Sequence, residues 1–139
     1  MIIRDQAGQN TVEFTLIFLL FMVLIFGIVE GGRLVRDYGI VSQAAREGVR
    51  YASVRGSTCK VPGGSACMAS ESDIKNYVMG KAMGLLTAAN ITVSWPGPPT
   101  GSKTPGSIVS ITTTYPFQPL AWFMPSVNLR STSQIVIVH

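Results

Sequence analysis

Few residues in this chain have the type and spacing for chemistry, and the first is a carboxylate in an unusual place. Glu13 stands directly before sixteen residues, 14–29, that carry no charge; only then come Glu30 and Arg33. An acid on the threshold of an apolar run needs a cation or backbone donors, because a charge costs roughly 2–3 kcal/mol at mid-membrane and less at the edge. Local donors are one answer: Asn10 as N-cap with Glu13 three residues later has the spacing of a capping box. Cys59 and Cys67 are the two cysteines, and Pro62, Gly63 and Gly64 between them let the chain turn back. In an oxidising compartment a disulfide here would contribute about 2–3 kcal/mol; two free thiols are the other reading. With a single histidine, His139, this set cannot supply four zinc ligands within one chain. No Ser-His-Asp set can be composed, and Glu71 and Asp73 sit where a helix start explains them. Neither catalysis nor a cofactor is expected.

The elements that must position these residues begin with a long helix. No proline occurs from Gln9 to Arg55. The pattern divides the chain into a leader, 1–8, a helix, 9–56, and a head, 57–139, with the cysteine loop at 59–67. The helix has two characters. Residues 14–29 are apolar all round, at the short end of the ~17–25 residues that span a bilayer. The run is longer than a signal-peptide h-region and no A-x-A cleavage site follows it. Beyond it, Leu34, Tyr38, Val41, Ala45, Gly48, Val49 and Ala52 fall within an arc of about 100°, with Arg33, Arg36, Asp37 and other polar residues opposite. Glu30, Arg33 and Asp37 read as a solvated or headgroup-level ladder of charges. Gly27 and Gly31 form G-x-x-x-G at the end of the apolar run, a spacing that lets helices approach closely. Trp95 and Trp122 lie in turn-rich segments, where aromatics more often pin a loop to a core than bind a ligand.

In the head, Ser70-Glu71-Ser72-Asp73 opens a second helix that is expected to run to Asn90 through Ile74, Tyr77, Val78, Ala82, Leu85, Leu86 and Ala89. Three strand candidates follow: 91–95, 107–115 and 129–138, the last two rich in Ile, Val and Thr. Residues 116–127, with three prolines, read as an irregular crossover. The fold class is α+β: a long helix, a short helix, and a small antiparallel sheet with the helices on one face.

Composition agrees with a chain divided in this way. Hydrophobic residues make up 47% and charged residues 13%, about half the usual charged share. The net charge of +4 comes from scattered lysines and arginines with no basic run or interleaved aromatics, so no nucleic-acid partner is expected. The positive-inside rule is nearly silent, with Arg4 before the span and Arg33 and Arg36 after it; the cysteine pair places the head in an oxidising space.

Gly8, four residues, then Glu13-Phe14 resembles the processing site of type IV prepilins, in which a membrane aspartic peptidase cuts after the glycine. The resemblance sharpens in Glu-x-Gly-Arg at 30–33 and Ala-Ala-Arg-Glu-Gly-x-Arg-Tyr-Ala at 44–52, which are similar to the TadE-like pilins and pseudopilins of tight-adherence systems; residues 109–120 resemble the second half of that family. The resemblance implies cleavage between Gly8 and Gln9, and a structural subunit of an extracellular filament assembled through its apolar helix. Its implied partners are copies of itself or related pilins, the peptidase, the assembly machinery and, before assembly, the cytoplasmic membrane. Glu13 would then be the fifth residue of the mature chain, placed to pair with the α-amino group of Gln9 in a neighbour. The competing expectation is a permanent single-pass membrane protein that displays a binding or adhesion head outside the cytoplasm.

Overall fold

The structure, a computed structural model, describes residues 6–65, 67–120 and 124–138, with side chains of the first helix from Gly8 onward. Helix α1 runs Gln6–Ser53 without a break, about 72 Å at 1.5 Å per residue. It crosses Gly8 and Gln9, so Asn10 lies inside the helix and no helix start exists there for a capping box with Glu13. Helix α2, Glu71–Lys81, begins as its sequence demands. The Ser70 hydroxyl accepts from the Asp73 N–H at 3.2 Å, and the Ser70 N–H donates to the Asp73 carboxylate at 3.0 Å.

That helix ends nine residues short of Asn90. Ala82 caps it, and Met83 (φ 51°) and Gly84 (φ +81°) take left-handed backbone that turns the chain away. A 3-10 turn, Ala88–Asn90, then leads into strand β1, Ile91–Ser94. Strands β2, Ile108–Phe117, and β3, Val127–Val136, complete an antiparallel sheet in the order β1-β2-β3. The register runs from Ile108 opposite Val136 to Phe117 opposite Val127, so ten residues of each strand pair, and Pro116, Phe117 and Val127, expected in an irregular crossover, belong to the ladder.

Alternation along the strands builds the core. Ile91, Val93, Val109, Ile111, Thr113 and Phe117 are buried, while Thr112 and Thr132 face outward and share a 2.9 Å hydrogen bond. The inner face packs on the second half of α1, where Val41, Ala44 and Ala45 are 0% exposed. The face differs from the expected one by a rotation. Tyr38 is exposed and Asp37 is buried, so the covered stripe runs through Asp37, Val41, Ala44, Gly48 and Ala52.

Two polar contacts fix the sheet lengthwise. Thr113 donates to the Val41 carbonyl at 3.2 Å, and the Val138 N–H donates to the Ser53 carbonyl at 2.9 Å. The open end of the sheet therefore lies at the C-terminal end of α1, and the closed end of the β2–β3 hairpin points back toward the apolar half. Helix α2 packs where Gly48 leaves room for Val78, and Tyr51 stacks on Tyr77 at 4.2 Å between ring centroids.

Candidate functional site

The features that could serve function are arranged along α1, so its two halves are built up first. Over residues 14–29 no protein covers the helix. The large apolar side chains from Phe14 to Val29 are mostly 48–71% exposed, with only Met22 and Ile25 half-buried. Among the described residues this is the one helix long and apolar enough to cross a membrane, with a mean hydropathy of 2.8 over an eighteen-residue window. Large branched and aromatic side chains all round a helix, with none of them buried, demand an apolar partner outside the chain.

Glu13 is exposed at the start of this surface, with Phe14 stacked on Phe18 at 6.2 Å. Gly8 and Gln9 lie exposed one turn earlier. Gly27 and Gly31 have no atom near the position a Cβ would take, so the space they leave is open to another molecule. Eighteen residues separate Glu13 from Gly31, which is five turns; with Gly27 about 40° away, the three share one side of the helix. That side is turned roughly 60–100° from the stripe that carries the head.

The transition between the halves is where the sequence reading missed most. Glu30 is not a solvated charge: it is 4% exposed. The Arg33 guanidinium donates to both of its carboxylate oxygens at 3.1 and 3.0 Å, and the Leu120 backbone N–H donates to Oε1 at 2.7 Å. Arg33 in turn lies 5.6 Å from the centre of the Phe117 ring. One helical turn at the end of the apolar run thus clamps the closed end of the hairpin. A buried carboxylate is tolerable here because an ion pair and a backbone donor both meet it. The signal in the sequence was the i,i+3 spacing of Glu30 and Arg33 on the apolar border; the partner ninety residues away left none.

At the other end of the head Cys59 and Cys67 are joined in a disulfide, with Cα atoms 5.2 Å apart. The loop is tied further by the Cys67 N–H donating to the Cys59 carbonyl and by the Ala69 N–H donating to the Arg55 carbonyl. A recess of about 330 Å³ beside it is lined by Val54, Thr58, Cys59 and Lys60, a set with no acid or histidine. Among the described residues no three His, Cys, Asp or Glu side chains come together as a metal site would require. Trp95 packs against the core with the Lys103 ammonium 4.6 Å from its ring, and its carbonyl accepts from the Gly101 N–H, so it holds the 96–106 loop in place. Trp122, His139 and Arg4 lie outside the described residues.

A long helix, bare and apolar in its first half, with a small α+β head laid along its second, is a pilin-like architecture. Residues 8–50 match the family model described as TadE-like protein. The matched stretch begins at Gly8, takes in Glu13, the bare helix, Gly27, Gly31 and the Glu30–Arg33 turn, and stops at Arg50. The head from α2 onward lies outside it, residues 109–120 included. No curated protein and no solved structure matches the chain. The family match and the apolar helix together support a pilin-like, membrane-associated role.

Proposed function

We propose that the protein is a TadE-like pilin or pseudopilin, held in the membrane by residues 14–29 and then packed through the same surface into the core of an extracellular filament. The observation that carries this reading is the contrast within α1: no large apolar residue from Phe14 to Val29 is buried. Such a surface is compatible with lipid and with copies of itself, and with little else. The leader 1–8 is removed between Gly8 and Gln9, a bond on the exposed, uncovered part of the helix. The freed amine of Gln9, with an ordinary pKa of about 7.7–8.0, then pairs with Glu13 of a neighbouring subunit and sets the axial register. Gly27 and Gly31, on the same side as Glu13, let helices approach once the charge pair has formed. The partners are other pilin subunits, the processing peptidase and the assembly machinery. The head carries no enzymatic activity and faces an oxidising space outside the cytoplasm, where the Cys59–Cys67 bridge persists.

The test compares membrane-inserted monomer with polymer sheared from cells for wild type, Glu13→Gln and Glu13→Ala, with intact masses of both fractions. Sheared wild-type protein should begin at Gln9 and carry the disulfide, and both variants should insert but lose polymer. Surface material that retains Met1 would defeat the processing step and favour a permanently anchored head. Normal polymer from Glu13→Gln would remove Glu13 from assembly.

A further inference from the structure

The bare segment of α1 is short for the task just proposed. Sixteen residues rise about 24 Å, whereas the hydrocarbon core of a bilayer is about 30 Å thick. The missing length has to be found at one end or the other. Toward the N-terminus the next residue is Glu13, exposed and without a covering head. Toward the C-terminus the next residue is Glu30, whose carboxylate is already buried, paired with Arg33 and bonded to the Leu120 N–H. Lipid around that turn would meet little naked charge.

It would also meet apolar side chains of the head. Leu120 is 80% exposed, Met124 39% and Val127 43%, all at the closed end of the β2–β3 hairpin. The chain carries no charge between Phe117 and Leu129. The hydrogen bond from Leu120 to Glu30 fixes this end beside the last turn of the bare helix. Leu120, Met124 and Val127 therefore lie at the end of the sheet that faces the apolar half of α1.

We propose that the closed end of the hairpin is a second membrane contact, in which Leu120, Met124 and Val127 sit in the boundary between headgroups and acyl chains. The occupant is lipid. The Glu30–Leu120 bond sets the depth of the contact, and Arg33, partly exposed at the same level, reaches toward lipid phosphates. The head thus rests on the membrane instead of swinging above it. The inference depends on the reading of residues 14–29 as a membrane span.

Methionines placed along the molecule test it without any substitution. The full chain, with its disulfide intact and its methionine methyls isotopically labelled, is reconstituted at one copy per phosphatidylcholine nanodisc. Lipids that carry a nitroxide near the headgroup or within the acyl chain are then added. Met22 reports the span and Met124 the hairpin end. Met68, exposed and next to the residue bonded to Arg55, reports the far end of the head. The expected result is loss of the Met22 signal with the acyl label, loss of Met124 with the headgroup label, and survival of Met68 with both. Loss of Met22 with survival of Met124 overturns the lipid contact and leaves the span intact; a second copy is then the candidate to cover this end. Survival of Met22 overturns the span and the contact with it. In Glu30→Gln, which weakens the clamp, the Met124 signal should partly return while Met22 remains lost.

Discussion

Along α1, residues 14–29 and residues 30–53 belong to one unbroken helix yet are built from different side chains for different surroundings. The first stretch is made mostly of Phe, Leu, Ile and Val, none of them buried. The second presents Val41, Ala44, Ala45, Gly48 and Ala52 to the sheet and α2, which bury them. Small residues let a backbone approach; large ones keep a surface adhesive and its partners exchangeable. The head is thus attached by close packing that needs one geometry. The bare half has to accept lipid first and neighbouring helices later, so no single jigsaw fit is imposed on it.

Glycine substitutions break this comparison most directly, and Gly48 should have the largest effect. A Cβ there would lie 3.0 Å from Ile111 Cδ1 and closer still to Val78 Cγ2, so Gly48→Val should destabilise the head by about 3 kcal/mol through overpacking. Gly31→Ala meets no atom of its own chain and should leave the monomer unchanged or stabilise it by up to ~1 kcal/mol through helix propensity. Denaturant unfolding in detergent, followed by head aromatic signals, separates the two. Equal losses from both would mean that the halves are not packed differently.

The disulfide should come next. Closing the short 59–67 loop contributes roughly 2–3 kcal/mol in the loop-entropy picture, so the double change Cys59→Ser with Cys67→Ser should lower the head's unfolding free energy by that amount. Insertion of residues 14–29 into detergent or lipid should not change. A loss of insertion as well would show that the two halves fold as one cooperative unit.

How much of this was legible follows the range of each interaction. The bare half, the strands and the helix start at Ser70 depend on neighbours in sequence, and their patterns announced them. Helix α2 was read too long because Leu85, Leu86 and Ala89 keep helical spacing. The turn at Met83 and Gly84 brings Leu86 back into the same core by another path. Tyr38 and Asp37 were placed on the wrong sides of α1 for a related reason. Hydrophobic spacing locates a face only when the cover is uniform, and here a hairpin covers one edge of the helix. Glu30 shows the limit most clearly. Its i,i+3 partner was visible, but its burial depends on Leu120, and nothing local to either residue records that contact.

Glu30 is the hinge of the comparison, and its effect should be smaller than the first two. Glu30→Ala removes the acceptor for the Leu120 N–H and the partner of Arg33. The guanidinium is partly exposed and can turn to water, so the cost should be about 1–2 kcal/mol. The informative reading is local: amide exchange at Leu120 should speed up while amides in β1 and α2 stay protected. Uniform acceleration across the head would mean that the clamp supports the whole fold instead of the hairpin end alone.

The smallest effect should come from the cap of α2, and it separates the head from the bare helix by pH. The Ser70 hydroxyl, and after it the Ser70 backbone N–H, hold the Asp73 carboxyl below the ordinary aspartate range. A carboxyl whose folded pKa is depressed contributes stability that is fully present above its unfolded pKa and is lost as pH falls through the folded value. The head should therefore keep this group's full contribution at neutral pH and lose it only in the acid range. Asp73 is fully exposed, so solvent screens the effect and the change should be slight. Denaturant midpoints of wild type and Asp73→Asn, measured from neutral into acid pH, test it by difference, since other carboxylates titrate in both proteins. The wild type should be the more stable at neutral pH and the two curves should converge in acid. Ser70→Ala, which removes the first of the two hydrogen bonds, should shrink the gap that closes. The helical signal of residues 14–29 in the same detergent should not follow either curve. Parallel curves for wild type and Asp73→Asn would show that the carboxylate adds nothing to the cap beyond what an amide oxygen provides.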